Sequence, residues 1–366
     1  MADIEIHRMF RDKKLAKKII QKINELSTQI VIMHVCGTHE QSITKFGIRS
    51  LLPDEVEVVP GPGCPVCVTP ANEIDEAIEL ARRGLIITVY GDMFRVPGNQ
   101  TSLAQEKADG ADVRIVYSPE NAIEIAINNP DKDVVFFAIG LETTTPMTAD
   151  IMLNDPPENF SVLSSHRLTP PAVDFLLSLG DLEIDGFIDP GHVSTITGVK
   201  AWEPLTAKYG VPQVITGFEP LDIMVAILML LKQMRSGKAK VENEYTRSVT
   251  YEGNTIALEK MWEVFEPYDK EWRGFPVVPN SVLRIKKEFE DLDASKKYDI
   301  SPPVIEGEAC GLECPLCGDI LRGLAKPTDC ELFAKTCTPQ NPIGACMVST
   351  EGTCNIAFRY GTTVKL

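Results

Sequence analysis

Short runs of β-branched and apolar residues recur along the chain, and each run ends at a glycine or a polar turn. They include IVIMHV (30–35), LIITVYGD (85–92), VVFFAIG (134–140) and DGFIDPGH (185–192). Helical patterns separate them, such as Asn72 to Arg83, where Asn72 is placed to cap the helix. Strands that alternate with helices pair in parallel, so the sequence predicts an α/β fold.

The strand and turn pattern occurs twice, which indicates two similar α/β domains with parallel sheets. A strand, a glycine turn and a polar helix start are found at Cys36-Gly37-Thr38 and again at Gly140-Leu141-Glu142-Thr143. We therefore predict α/β domains at 27–121 and 122–236. Residues 1–26 carry an amphipathic helix, which we expect to pack on the C-terminal domain.

The sequence after Ser236 changes character. Two charged helical stretches, 256–265 and 282–292, lead into a tail rich in Cys, Gly and Pro. We predict a C-terminal domain of helices and loops at 237–366. A loop-rich segment of this kind usually needs a staple such as a metal centre.

The cysteines lie in two groups near the ends of the chain. Cys36, Cys64 and Cys67 come early, and none occurs between Cys67 and Cys310. The remaining seven cysteines are Cys310, Cys314, Cys317, Cys330, Cys337, Cys346 and Cys354. Scattered buried thiols would rarely leave such a gap, so we interpret both groups as chemical sites.

The tail contains Cys317-x12-Cys330-x6-Cys337-x16-Cys354. Four thiolates on irregular loops suit either a [4Fe-4S] cluster or a structural zinc ion. A zinc ribbon would show two close Cys-x-x-Cys arms, whereas this tail has one, and surplus thiols make more sense beside a redox cluster. The spacing therefore favours iron–sulfur, and a zinc-stapled interaction protein remains an alternative.

Cys36 lies in HVCGTHE (34–40), at the end of a predicted strand and the start of a helix. We expect the helix N-terminus to lower the pKa of this thiol, so that it can bind iron or attack an electrophile. A transferase or hydrolase that uses a Cys–His pair, with His39 or His192 as base, is therefore a competing hypothesis.

The GPGCPVC stretch (61–67) predicts a rigid loop that holds Cys64 and Cys67 close together. Its glycines allow close backbone approach, and its prolines fix φ and withhold amide donors. Two sulfurs at disulfide-forming distance can accept or deliver two electrons by thiol–disulfide exchange. We favour this redox role over zinc binding.

The charge balance excludes some classes of partner. Lys and Arg number 36 against 52 Asp and Glu, and the net charge of −16 disfavours sequence-independent binding to nucleic acid or anionic lipid. The most apolar run, 223–231, is too short to span a membrane, and the start lacks a signal-peptide pattern. We expect a cytoplasmic protein with reduced thiols.

Several of these motifs together resemble the hydrogenase maturation protein D family, HypD, over nearly the whole chain. They are HVCGTHE, GPGCPVC, GLETTTP (140–146), DPGHVS (189–194), TGFEP (216–220) and the cysteine tail. Leu141 stands where the family motif has Phe, a difference that concerns packing. The resemblance implies a scaffold on which the Fe(CN)2(CO) unit of [NiFe]-hydrogenase is assembled before delivery to the hydrogenase large subunit.

The resemblance also implies roles for particular residues and partners. Cys36 would bind the Fe(II) that carries cyanide and CO, sharing it with a cysteine of the small chaperone HypC. Cys64 and Cys67 would be the exchangeable dithiol. HypE would carry cyanide, as a thiocyanate made with HypF. His39, Glu142 and His192 are expected on loops that face the site.

The family cluster would be a [4Fe-4S] cluster, and the tail motif assigns it four ligands. These ligands are Cys317, Cys330, Cys337 and Cys354. Cys310, Cys314 and Cys346 are then left as candidate relay thiols between this cluster and the dithiol.

Overall fold

The computed structural model describes residues 10–180, 182–300 and 314–361. It confirms an α/β fold with two parallel sheets, to which an antiparallel hairpin is added. Cys310, one of the candidate relay thiols, lies outside the described residues. No helix in the described ranges is long and apolar enough to cross a membrane.

The strands follow the predicted apolar runs and are numbered here in chain order. They are β1 (Ile30–His34), β2 (Val56–Pro60), β3 (Ile86–Tyr90), β4 (Val113–Val116), β5 (Val134–Gly140), β6 (Phe160–His166), β7 (Gly186–Pro190), β8 (Gln213–Thr216), β9 (Val241–Asn243), β10 (Phe265–Glu271) and β11 (Val277–Ile285).

The helices lie between these strands and in the tail. They are α1 (Lys13–Leu26), α2 (Gly37–Lys45), α3 (Pro65–Val68), α4 (Ala71–Arg82), α5 (Gly91–Phe94), α6 (Leu103–Ala108), α7 (Pro119–Ile127), α8 (Thr145–Leu153), α9 (Thr169–Leu179), α10 (Gly191–Thr197), α11 (Glu203–Tyr209), α12 (Pro220–Ser236), α13 (Thr255–Val264), α14 (Ala294–Lys297), α15 (Cys317–Leu321), α16 (Ala345–Val348) and α17 (Thr353–Tyr360). Short 3-10 helices occur at Ile48–Leu51, Lys287–Leu292 and Pro327–Asp329.

The two parallel sheets do not follow the predicted division at residues 121 and 122. The five-stranded sheet has the order β2-β1-β7-β8-β9, and the four-stranded sheet has the order β4-β3-β5-β6. The first sheet is discontinuous in sequence because β7 pairs with β1, with His34 opposite Ile188. The chain leaves the first sheet after β2 and re-enters it at β7.

The N-terminal helix packs elsewhere than expected. Ile19 and Ile23 of α1 are buried in one cluster with Ile227 and Leu231 of α12, whereas we expected α1 to lie on the C-terminal domain. An ion pair between Arg11 and Glu219, at 2.6 Å, lies at the same interface. The apolar face of α1 therefore covers the outer face of the first sheet.

Two local predictions also differ from the structure. Residues 277–285 form β11, paired with β10, rather than the start of a helix over 282–292. The buried Leu283 and Ile285 flank the exposed Arg284, a period of two residues that suits a half-buried strand. Asn72 does not cap α4, because the helix begins one residue earlier, after Pro70.

The segment after β9 packs on both sheets. Helix α13 contacts α8, and β11 contacts β6 and α9, so the hairpin belongs to the second sheet's side. In the cysteine tail, α17 contacts α2 and α16 contacts α3. The fold therefore places the tail cysteines beside the two early cysteine motifs.

A buried ion pair joins α4 to the second sheet and the hairpin. Arg167, which follows β6, places Nη2 2.9 Å from Oε1 of Glu73, and Lys270 of β10 places Nζ 2.8 Å from the same oxygen. Burial alone would raise the pKa of Glu73, but the charges of Arg167 and Lys270 hold this pKa at about 2. Removing one cation would leave a buried carboxylate underpaired.

Replacing Arg167 with Met should lower the free energy of unfolding by about 3 kcal/mol, because Glu73 would lose its bidentate partner in a buried site. Urea denaturation at neutral pH measures this loss. The control is Lys200→Met, which removes an exposed pair with Glu252 and should lower the free energy of unfolding far less. Equal losses in the two variants would contradict this assignment.

Candidate functional site

Cys36 lies where β1 ends and α2 begins, as the HVCGTHE motif predicted. It is the N-cap residue of α2, and the backbone N–H groups of Thr38 and His39 lower the pKa of its thiol, although no side-chain capping hydrogen bond forms. The Thr38 hydroxyl, which donates its hydrogen to Glu351 at 2.9 Å, acts on this pKa in the same direction. The helix start therefore surrounds the sulfur with polar hydrogens.

The pKa of the Cys36 thiol is nevertheless raised, to about 12, which contradicts our expectation. Burial is the larger cause and the nearby Glu351 carboxylate is the second, and together they outweigh the N–H groups of α2. The Cys36 thiol is therefore protonated at neutral pH. Because the thiolate is the nucleophilic form, this state argues against the competing Cys–His hypothesis.

Cys36 opens into a cleft of about 360 Å³ between the two sheets. The loop after β1 supplies Cys36 and Thr38, and the loops after β5 and β7 contribute Thr143 and His192. The carboxyl ends of parallel strands form this edge, as expected for ligand sites in α/β folds. The tail adds Glu351, which the sequence analysis missed because no motif marks it.

His192 and His39 both stack on Phe218, with ring centroids 3.9 Å and 4.9 Å away. Only His192 lines the cleft, and burial lowers its pKa. His39 is fully buried, donates from Nε2 to the Gly217 carbonyl at 3.0 Å, and has a pKa lowered to about 3 by burial. His39 therefore supports the site from below, and His192 faces it.

Glu142 does not line the cleft, although its neighbours Leu141 and Thr143 do. Its carboxylate accepts the Thr169 backbone N–H at 2.7 Å and the Thr169 hydroxyl at 2.9 Å, at the first residue of α9. Burial raises its pKa to about 7, even though these hydrogen bonds favour the charged form. Glu142 thus holds the start of α9, which is a structural role.

Glu142 should make stability fall as the pH rises from about 4.5 to about 7. In that window the unfolded chain has released the proton that the folded chain still holds, so folding binds a proton and higher pH opposes it. In Glu142→Gln this pH dependence should disappear. The free energy of unfolding of the variant, relative to that of the parent, should therefore rise by roughly 1–3 kcal/mol between pH 5 and pH 8. Urea denaturation at a series of pH values measures this difference. A difference in free energy of unfolding that is the same at every pH would contradict the prediction.

The Cys64–Cys67 pair lies directly beneath Cys36. Cys64 is the N-cap of α3, and its sulfur accepts the Cys67 backbone N–H at 3.4 Å; both residues are free thiols. A Cβ atom on Gly63 would collide with the backbone nitrogen of Cys36, so only glycine lets the two segments approach. This explains the glycine between the prolines of GPGCPVC.

Cys67 also contacts a tail thiol. Burial is the main cause that raises the pKa of Cys67, and its interactions with Cys346 and Cys64 add to it. Interactions with Cys317 and Cys67 lower the pKa of Cys346. Cys64, Cys67, Cys346 and Cys317 therefore form a continuous thiol line, buried in one core cluster.

A second cysteine group lies beyond this line and is formed by Cys314, Cys330, Cys337 and Cys354. Cys337 interacts electrostatically with Cys314 and Cys330, and Cys354 interacts first with Cys346 of the thiol line and then with the other three cysteines of this group. Backbone N–H groups of Ile343 and Gly344 hydrogen-bond the Cys337 sulfur. Cys317, which we predicted as a cluster ligand, lies in the same buried cluster as Cys346 and Cys67, and Cys314 packs against that cluster.

Across the described part of the chain, no three or more His, Cys, Asp or Glu side chains are arranged to hold a metal ion as they stand. The second cysteine group nonetheless offers four thiols, three on loops and Cys354 in the first turn of α17, and the Ile343 N–H donates to the Cys337 sulfur at 3.5 Å. Backbone hydrogen bonds to sulfur are typical of cluster ligands. On its donor chemistry the group suits a [4Fe-4S] cluster.

Together these features define an α/β protein with a cysteine at the floor of an interdomain cleft and a thiol line beneath it. A family model named HypD, described as "Hydrogenase formation hypA family", matches residues 13–361. The chain belongs to this HypD family of hydrogenase maturation factors.

Curated relatives agree with the family match over nearly their whole length. A putative hydrogenase expression/formation protein of Methanocaldococcus jannaschii is 51% identical, covering 95% of this chain and 98% of the relative. The hydrogenase maturation factors HypD of Azotobacter vinelandii and Cupriavidus necator are each 46% identical, with 96% of both chains covered. The resemblance found in the sequence is therefore confirmed.

Proposed function

We propose that this chain is a redox-active cytoplasmic scaffold that binds an iron ion at Cys36 while the Fe(CN)2(CO) group of [NiFe]-hydrogenase is assembled. HypC and HypE are its proposed partners, and the hydrogenase large subunit is the eventual recipient. The observation that carries the proposal is the position of Cys36, at the floor of a cleft and in contact with a dithiol-bearing loop.

The cleft supplies the chemistry that an iron cargo needs. Binding iron displaces the proton of the buried Cys36 thiol, and a cysteine of HypC supplies a further thiolate from the open side. Thr143 and His192 line the cleft and can donate hydrogen bonds to cyanide nitrogens, whereas the Thr144 hydroxyl donates to the Leu141 carbonyl at 3.4 Å. The buried walls exclude water from a site that must hold strong-field ligands.

The dithiol supplies the electrons for cyanide release. HypE, with HypF upstream, delivers cyanide bound to sulfur as a thiocyanate. Cleaving that sulfur–carbon bond takes two electrons and one proton, and yields a thiol and a cyanide ion. Cys64 and Cys67 provide two electrons and two protons when they close a disulfide, which leaves one proton to be released.

The thiol line offers a route to reduce that disulfide again. Cys346 contacts Cys67 and Cys317, so the Cys317–Cys346 pair can pass its two electrons and protons to Cys64–Cys67 by thiol–disulfide exchange. A [4Fe-4S] cluster held by Cys314, Cys330, Cys337 and Cys354 would supply electrons one at a time when bound. Cys317 then belongs to the relay and Cys314 to the ligand set.

Replacing Cys314 with Ser should reduce iron and acid-labile sulfide in anaerobically purified protein to a small fraction of the parent's content, because a cluster ligand is lost. The matched variant is Cys317→Ser, three residues away, which should keep the brown cluster. Metal and sulfide analysis decides between them. If only Cys317→Ser lost the cluster, the ligands would be Cys317, Cys330, Cys337 and Cys354, as the spacing predicts. Zinc in place of iron would contradict the cluster proposal.

Replacing Cys36 with Ala should abolish the iron–cyanide unit, because the thiolate that anchors the iron is gone. Infrared spectroscopy of the complex co-purified with HypC should show cyanide bands in the parent and none in the variant. Iron and sulfide content serves as the internal control, since the cluster should be unchanged. Cyanide bands of equal intensity in Cys36→Ala would overturn the assignment of the iron site.

A further inference from the structure

We infer that Ser349 and Glu351 are positioning residues that couple the redox state of the Cys64–Cys67 dithiol to the exposure of the Cys36 sulfur. These two residues lie on one turn of the tail, between α16 and α17. The inference rests on the proposed function, because the coupling is useful to the protein only if iron is assembled at Cys36. The coupling itself is a property of this chain and can be measured without partners.

Ser349 forms the dithiol end of this connection. Its hydroxyl oxygen accepts the Cys64 thiol hydrogen at 3.3 Å and the Glu351 backbone N–H at 3.2 Å. The residue is almost completely buried, with 1% of its surface exposed. The oxygen therefore holds Cys64 and the Glu351 backbone together in a site where a lost hydrogen bond is costly.

Glu351 forms the iron-site end. Its carboxylate accepts the Thr38 hydroxyl hydrogen at 2.9 Å, and Thr38 also contacts the Cys36 sulfur. The Glu351 backbone packs against Gly37, where a Cβ atom would collide with its carbonyl oxygen. Glu351 and Thr38 both line the cleft, so their positions set how open the approach to Cys36 is.

The turn that joins the two ends has little freedom. The Gly352 N–H donates to the Ser349 carbonyl at 3.0 Å. A Cβ atom on Gly352 would collide with the carbonyl of Cys346, so the turn is packed against the thiol line as well. A displacement at Ser349 is therefore transmitted to Glu351, two positions along the chain, rather than absorbed locally.

Oxidation changes the hydrogen bonding at Ser349. When Cys64 and Cys67 form a disulfide, both thiol hydrogens and two electrons leave, and the Cys64 sulfur can no longer donate. Ser349 then loses its bond to α3, and the turn is released from the dithiol. Glu351 moves away from Gly37 and Thr38, and this movement exposes Cys36. Cys36 is therefore exposed when Cys64 and Cys67 form the disulfide, after they have given up their two electrons.

The first experiment measures the dithiol equilibrium in mixtures of reduced and oxidised glutathione. Oxidised glutathione takes up the two hydrogens and two electrons as it becomes two thiols, and mass spectrometry counts the disulfide in the 50–82 tryptic peptide, which carries only Cys64 and Cys67. Ser349→Ala should favour the disulfide by about fivefold, since a hydrogen bond made only by the dithiol is lost. Ser349→Thr, which keeps the hydroxyl, should stay near the parent.

The second experiment measures alkylation of Cys36 by iodoacetamide in both redox states of the full chain with its cluster. The tryptic peptide 23–45 carries Cys36 as its only cysteine. In the parent, the disulfide state should be alkylated at least about threefold faster. In Ser349→Ala the reduced protein should already react at the faster rate. Thr38→Val should leave the dithiol equilibrium unchanged and remove most of the difference at Cys36.

The outcomes separate this inference from the proposed function. Equal alkylation of Cys36 in the two parent states, or an unaltered response in Ser349→Ala, would overturn the coupling. The infrared test of Cys36 does not depend on either result, so the iron site can stand while the coupling fails. A folded Ser349→Thr protein that behaves like Ser349→Ala would show that the hydroxyl is not the connecting group.

Discussion

The close approach of three backbone segments around Cys36 is the constraint on which the site depends. Gly63 of the GPGCPVC loop presses on the Cys36 backbone nitrogen, and Gly37 presses on Glu351 of the tail. A side chain at either glycine would force the segments apart. Because these two glycines allow the close contact, Cys36, the dithiol loop and the tail share a single junction.

Burial at this junction sets the protonation state of the Cys36 thiol. A helix N-terminus lowers the pKa of a thiol in isolation, and the sequence analysis relied on that rule for Cys36. The structure shows the opposite direction, because the sulfur is enclosed and the Glu351 carboxylate lies nearby. A protonated, enclosed thiol reacts slowly with oxidants and electrophiles.

The sequence was sufficient for the elements of the fold and insufficient for their assembly. Apolar runs such as 134–140 located the strands because burial on both faces of a parallel sheet leaves a continuous local signal. The pairing of β7 with β1 has no such signal, since it joins residues 154 positions apart, such as His34 and Ile188. The placement of α1 on α12 was missed for the same reason.

The cysteines show the same limit at the site. The spacing of the cysteines indicated two separate groups with sulfur chemistry. It could not tell Cys314 from Cys317, which lie three positions apart on either side of the turn that leads into α15. An interaction with Cys346 and a position in the same buried cluster bring Cys317 next to the thiol line. No sequence pattern indicated Glu351 or Ser349, because their roles come from contacts with α2 and with the start of α3, which are far away in the sequence.

The central claim is that a buried thiol line separates the iron thiol from a four-cysteine cluster group. Anomalous diffraction at the iron absorption edge, from anaerobically grown crystals, tests it most directly. The account predicts iron density enclosed by Cys314, Cys330, Cys337 and Cys354, with Cys317 and Cys346 making no bond to iron. Iron bonded to Cys317, with Cys314 turned away from it, would contradict the account.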